Sequence, residues 1–156
     1  MTEQTTEPLI VVGVDGSNPS REAVRWAVEQ ARLTGSRVHA VMAWEWNRNP
    51  FALGAGGAEG HAEEEAVTAE EAARRKLADT VTAAVGASPG VPVFRRVEQG
   101  PAARVLVDAS REAALTVVGT RGLGGFKGAL LGSVSREVVQ HAAGSVVVVR
   151  EGEPVG

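Results

Sequence analysis

Short apolar runs and segments with a helical period follow one another along the chain. The first run, at 9–14, is almost continuously apolar and rich in valine. A run without polar alternation is typical of a strand that is buried on both faces of a parallel sheet. Pro92 indicates that the third strand lies at a sheet edge or begins there. We predict five strands, at 9–14, 37–43, 91–97, 115–118 and 145–150.

Four segments between these strands carry apolar residues every three or four positions, as amphipathic helices do. The first begins with Asn18, which suits an N-cap, and Pro19, which suits the first helical position, and it stops at Gly35. The other three lie at 62–85, 101–109 and 133–142. Strands and helices therefore alternate. This order predicts an α/β fold, a Rossmann-like open, parallel, five-stranded sheet with helices on both faces and right-handed crossovers.

The composition fits one domain at 9–150, with a disordered polar tail at 1–8 and a short tail at 151–156. The net charge of −3 argues against nucleic acid or a membrane surface as partner, since either needs a basic face. The chain has no cysteine, which excludes disulfides and thiol catalysis. Because no apolar stretch approaches the ~20 residues of a membrane span and no signal peptide is visible, we expect a cytoplasmic protein.

A glycine-rich run at 119–133 joins the fourth strand to the fourth helix. Backbone N–H groups at a helix start lack intrahelical partners and favour an anion such as phosphate. Glycines let the backbone approach that anion without a Cβ in the way. The run is not a P-loop, because Lys127 precedes Gly128, and the G-x-G-x-x-G pattern fails at the same lysine. Ser133 either caps the helix or donates its hydroxyl to a phosphate oxygen.

The run contains the pattern G-x2-G-x9-G-S, on Gly119, Gly122, Gly132 and Ser133. This spacing resembles the glycine signature of the ATP-binding branch of the universal stress protein family. The resemblance extends over about 9–150, because the first strand with its turn and the last strand are also similar to those of the family. It implies that strands one and four are neighbours and that ATP, with Mg²⁺, binds at their carboxyl ends. A surface loop without a ligand is the alternative.

The resemblance also implies binding residues outside the run. The backbones of Gly13 and Val14 contact the nucleoside. Ala40 contacts the base, unless the match is shifted by one residue to Val41. Asp15 meets the ribose, the base or a metal through water, or else it forms an Asx turn into the helix. The expected binding residues are Gly13, Val14, Asp15, Ala40, Gly119, Thr120, Arg121, Gly122, Gly124, Gly125, Gly132, Ser133 and Val134.

Some candidate side chains remain open to two interpretations. Arg121 and Lys127 either neutralise a triphosphate or are solvated loop cations. Trp44 and Trp46 either cover the nucleotide pocket or a partner surface, or simply pack. We expect His39, in an apolar strand, to be a packed core histidine. No catalytic constellation is visible, so the sequence favours binding over chemistry.

The last strand contains four consecutive valines: Val146, Val147, Val148 and Val149. Apolar side chains on both faces favour burial, and a free edge would be a template for pairing. The resemblance implies that this strand pairs with its own copy in a homodimer. We therefore expect an ATP-binding regulatory protein of the stress response, with slow or no hydrolysis and an unidentified downstream partner. The alternatives are a weak ATPase or nucleotidyl-transferring enzyme, and a chaperone-like protein without nucleotide.

Overall fold

The computed structural model describes residues 7–45, 59–120 and 131–151, with the side chains of 59–63 left aside. Strands and helices alternate through the described chain, as the sequence predicts. The elements are β1 (Leu9–Gly13), α1 (Asn18–Thr34), β2 (Arg37–Trp44), α2 (Glu59–Val85), β3 (Val93–Gln99), α3 (Ala102–Ser110), β4 (Leu115–Gly119), α4 (Ser133–His141) and β5 (Ser145–Val149). No helix in the described ranges is long and apolar enough to cross a membrane.

The strands form one parallel sheet in the order β3-β2-β1-β4-β5. Every residue of β1 is buried, which explains why its sequence shows no polar alternation. The sheet has β3, with Pro92 just before it, at one edge and β5 at the other. The neighbours β1 and β4 meet where the strand order reverses, so the expected adjacency of strands one and four is confirmed.

Helices cover both faces of this sheet, as expected. Ile10 and Val12 of β1 face α1 and α2, whose apolar stripes include Val24 and Leu77. The alternate residues of β1 face α3 and α4 on the other side, with Leu106 at the centre of that smaller cluster. Side chains alternate across a strand, so a continuous apolar run supplies both clusters at once.

The boundaries of α1 show how local signals compete. Ser17, not the predicted Asn18, is the N-cap, and its Oγ accepts a hydrogen bond from the Ser20 N–H at 3.3 Å. Serine and asparagine are equally good caps, so the pattern alone could not separate two adjacent positions. At the other end Gly35 adopts a left-handed conformation, with φ 68°, and closes the helix. Helix α2 begins at Glu59, earlier than the predicted start at 62.

Candidate functional site

Most of the predicted site residues in the described chain lie at the carboxyl ends of β1 and β4. This boundary of the sheet, which is distinct from the edge strands β3 and β5, is called the carboxyl edge, or the edge of the site. Val12 of β1 is level with Val117 of β4, so Gly13 and Gly119 each end their strand at this edge. The turn containing Asp15 follows one strand, and the glycine-rich run follows the other. In open α/β sheets ligands bind at such a point, where the strand order reverses.

Asp15 forms the Asx turn that the sequence left open as its alternative role. Its Oδ1 accepts hydrogen bonds from the backbone N–H of Ser17, at 2.9 Å, and from the Ser17 hydroxyl. Ser17 in turn caps α1 through the N–H of Ser20. The carboxylate is therefore fixed at the start of α1, at the edge of the sheet.

Gly16 lies in the same turn, with φ 89°, a conformation that favours glycine. The side chain of Lys76, from α2, crosses over it. A Cβ atom added at Gly16 would overlap Lys76 Cε and would lie 3.3 Å from Lys76 Nζ. The fold thus brings a cation of α2 to the β1–α1 turn. Sequence analysis missed Lys76, since nothing near a lysine on a charged helix indicates that its side chain reaches a distant turn.

Two glycines at the edge are closely packed within the protein. A Cβ atom at Gly119 would lie 2.9 Å from the carbonyl carbon of Pro19, and one at Gly13 would lie 2.7 Å from Cδ1 of Leu106. Sequence analysis predicted these glycines as binding residues, and that role stays a prediction. Their lack of a side chain also lets α1 and α3 pack closely against the ends of β4 and β1.

The two ends of the glycine-rich run are joined at its base. The N–H of Gly132 donates to the carbonyl of Thr120 at 2.7 Å, and the N–H of Thr120 donates to the carbonyl of Val149 at 3.0 Å. Ser135, which sequence analysis did not select, donates its hydroxyl to the carbonyl of Gly119 at 2.6 Å. The start of α4 is therefore bonded to the end of β4, and the end of β4 to the end of β5.

The N-terminus of α4 has no side-chain cap. Gly132 is the N-cap, in extended backbone, with no side-chain capping hydrogen bond, so of the two roles considered for Ser133 the capping role is wrong and the phosphate contact stays a prediction. Ser133 is instead the first helical residue, exposed, with Val134 half-buried behind it. Helical geometry leaves the first N–H groups without intrahelical partners. In α1, by contrast, Ser17 takes up one of these groups.

The two candidates for the base contact lie at different heights in β2. Ala40 is level with Val12, within β1, whereas Val41 is level with Gly13, the last residue of β1. Both side chains are buried, and the carbonyl of Val41 accepts a hydrogen bond from the N–H of Val14 at 2.9 Å. Val41 is therefore the one of the two that is level with the last residue of β1, while β2 itself continues to Trp44.

Several predicted binding residues lie outside the described part of the chain. These are Arg121, Gly122, Gly124 and Gly125. Lys127 and Trp46 fall outside it as well. Trp44 lies within it and packs against the core on the face of α1 and α2, which favours its packing interpretation.

Comparison with known proteins decides the family. The model of the universal stress protein family matches residues 9–150. The chain belongs to this family. Among curated relatives, a universal stress protein of Mycolicibacterium smegmatis is 37% identical over 154 residues, which cover 96% of this chain and 50% of the relative. The chain spans about half the length of the curated relatives it matches.

Solved structures share the fold of this universal stress protein. A protein whose biochemical function was assigned from its structure superposes with a TM-score of 0.76 at 19% identity, over 94% of this chain and 98% of the other. At that identity the likeness shows the fold. A universal stress protein solved in complex with cAMP is 27% identical, with a TM-score of 0.62, over 95% of this chain and all of that one (100%).

His39 of this universal stress protein is half-buried, not packed in the core as predicted. Its ring meets Phe94 edge-on, with centroids 5.5 Å apart, and Arg96 Nη1 lies 3.4 Å from its Nδ1. Helices α3 and α4 pack mainly over the other four strands, whereas β3 is contacted by α2 on the opposite face, and Phe94 is 51% exposed. Burial, then the charges of Arg96 and Arg37, lower the pKa of His39 below 6.5, against an opposing effect of Glu112.

Acidic and histidine side chains do not converge on a metal site in the described ranges, where no group of three could hold an ion. Asp15 is the carboxylate placed at the sheet edge, and one of its oxygens already serves Ser17. A divalent cation there would need further ligands from a bound molecule, such as phosphate oxygens and water.

Proposed function

We propose that this universal stress protein binds ATP at the carboxyl edge between β1 and β4 and acts as a regulatory protein of the cytoplasm. The observation that carries the proposal is the uncapped N-terminus of α4 at the reversal point of the sheet, behind a glycine-rich run. Such a helix start favours an anion through its N–H groups and its dipole. The cAMP complex of a relative supports a nucleotide as the ligand.

The phosphates and the nucleoside bind different parts of the carboxyl edge. In this proposal the phosphates meet the base of the glycine-rich run and the start of α4, through Gly119, Thr120, Gly132, Ser133 and Val134, with Arg121, Gly122, Gly124 and Gly125 of the same run. The nucleoside lies toward the turn after β1, against Gly13, Val14 and Asp15. For the base contact we favour Val41 over Ala40, since Val41 is level with Gly13, the last residue of β1.

Magnesium would arrive with the ATP phosphates. Mg²⁺ retains several waters and takes few protein ligands when it binds together with phosphate. The carboxylate of Asp15, in the turn after β1, suits a contact through water. This donor set fits a nucleotide-bound ion.

ATP binding is tested with Gly122→Glu. The substitution puts a negative charge and a bulky side chain where phosphate should lie, so ATP affinity should fall by at least tenfold, which corresponds to about 1.4 kcal/mol. Ser88→Glu adds the same charge at an exposed position after α2, and it should bind like the parent. Isothermal titration with ATP and Mg²⁺ compares the three proteins. A folded Gly122→Glu protein with the affinity of the parent would refute the site.

We propose that ATP acts as a ligand that shifts conformational populations, with slow or no hydrolysis. Phosphate release from ATP and Mg²⁺ should stay far below the rates of ~1–1000 per second that are typical of enzymes. Turnover that follows the protein through purification and disappears in Asp15→Asn would instead place the protein among the ATPases.

We also propose a homodimer through β5. This strand is at the edge of the sheet, and its four valines are half-buried within a single chain. Val139 of α4, on the same side, is exposed. Val147→Pro should disturb the edge and shift the protein toward monomer or aggregate, while Phe94→Pro at the opposite edge should leave the dimer intact. Sedimentation of the parent at micromolar concentration as a monomer would refute this interface.

A further inference from the structure

Ser135 lies buried in the first turn of α4, with 5% of its surface exposed. Its Oγ is 2.6 Å from the carbonyl oxygen of Gly119 and 3.2 Å from that of Thr120. The N–H of Gly132 donates to the same Thr120 carbonyl at 2.7 Å. Two donors from the start of α4 therefore converge on the two carbonyls with which β4 ends.

These bonds hold α4 without occupying its anion-binding groups. The acceptors are the carbonyls of Gly119 and Thr120, so these bonds do not involve the first-turn N–H groups of Ser133 and Val134, which have no intrahelical partner. In α1, by contrast, one first-turn N–H is taken up, because the Ser17 hydroxyl accepts a hydrogen bond from the Ser20 N–H. The hydroxyl of Ser135 thus fixes the N-terminal turn of α4, as a capping side chain does in other helices, but it does so through a buried hydrogen bond to the end of β4.

We propose that Ser135 is a positioning residue for phosphate, which sets the distance and direction of the α4 N-terminus relative to the end of β4. It touches no nucleotide itself, since its side chain points into the protein. This inference rests on the proposed function and adds to it a residue outside the glycine signature. Displacement of the helix start would weaken the contacts to phosphate and leave those to the nucleoside in place.

The test compares ATP and adenosine. Ser135→Ala removes the hydroxyl and should lower ATP affinity about five- to tenfold, the worth of one hydrogen bond, with adenosine affinity nearly unchanged. Ser135→Thr keeps a hydroxyl and should restore ATP binding. If Ser135→Ala folds poorly, Ser135→Cys keeps the volume with a weak donor and takes its place. Amide hydrogen exchange at Gly132 should be faster in the alanine variant, because the end of β4 is held less firmly.

Ser110→Ala is the matched control. Ser110 is also buried, donates to the carbonyl of Val107 and accepts from the N–H of Ala143, away from the sheet edge of the site. It should lose stability like Ser135→Ala but keep the ATP affinity of the parent. Equal losses for ATP and adenosine in Ser135→Ala, or no loss at all, would overturn the positioning role. A parent protein that binds neither ligand would instead overturn the proposed function, and this inference with it.

Discussion

A Cβ atom added to Gly119 would lie 2.9 Å from the carbonyl carbon of Pro19, so β4 ends in direct contact with the first turn of α1. The obstacle at this point is backbone, which cannot rotate away as a side chain can. The glycine is thus needed to seat α1 on the sheet, whether or not a ligand also approaches it.

Gly119→Ala should therefore be more damaging than Gly13→Ala. The added methyl group at 119 meets the backbone of Pro19, whereas at 13 it meets the movable tip of Leu106. We expect Gly119→Ala to lower the free energy of unfolding by about 1–3 kcal/mol, the usual range for overpacking, and Gly13→Ala by less. Urea denaturation of both variants measures the order. Equal losses would show that α1 can shift to make room.

Gly16→Ala should reveal the contact with Lys76. The left-handed backbone alone costs about 1 kcal/mol for alanine, and the overlap with the lysine adds to it. Gly35→Ala is the control, because Gly35 is also left-handed but has no atom within 4 Å of the added methyl group. The excess loss at 16 over 35 should shrink in a Lys76→Ala background. An excess that persists there would assign the strain to the turn itself.

Thr116→Val should stabilise the protein. The Thr116 hydroxyl is fully buried and has no hydrogen-bond partner in the described part of the chain. Replacing it with an apolar group of equal shape removes an unmet polar group, for a gain of about 1 kcal/mol and roughly 2–4 °C in Tm. Thr80→Val is the contrast, because Thr80 Oγ1 bonds the Lys76 carbonyl at 2.7 Å. A thermal scan in which both variants lose stability would mean that Thr116 has a partner in solution.

His39 should make stability fall in mild acid. Its pKa is lowered in the folded state, so the unfolded chain takes up the proton first as the pH drops through 6.5, and the folded form is penalised from there down to its own lower pKa. Above that range the residue adds no pH dependence. Denaturation midpoints at pH 7.5 and 5.5 should differ less in His39→Gln than in the parent, while His141→Gln, at an exposed site, serves as the control. An unchanged difference in His39→Gln would contradict this assignment.

The fold followed from the sequence because burial on two faces leaves a clear trace. The run at 9–14 predicted a central parallel strand, and the alternation of strands and helices predicted the layers. Boundaries were less certain, since Ser17 and Asn18 are both good caps and only the tertiary structure selects one. The helix contacts of each strand were harder to predict: nothing near His39 in the sequence indicates that α2 packs on one face of β3 while α3 and α4 contact the opposite face so little.

The part of the sheet that carries the candidate site was predictable from the sequence, but the contacts there were not. The glycine spacing and the strand order located the edge that Asp15 and Gly119 share. The contacts of Gly119 with Pro19 and of Gly16 with Lys76 join segments that are distant in sequence. A glycine that is needed for close packing cannot be distinguished in the sequence from one that is needed for a ligand. Ser135 was missed for a similar reason, because its value lies in the carbonyls that it meets across the fold.

The central place of β1 has a consequence for the newly made chain. Of the five strands of the sheet, β1 is the first to be synthesised, yet one of its two neighbours, β4, emerges only after three helices and two further strands. Until then an apolar strand keeps one edge open, and pairing between distant segments is slow to form. Open apolar edges invite association between chains. The strand that is fully buried in the folded protein is thus an apolar strand with an unpaired edge, open to association with other chains, while translation is still in progress.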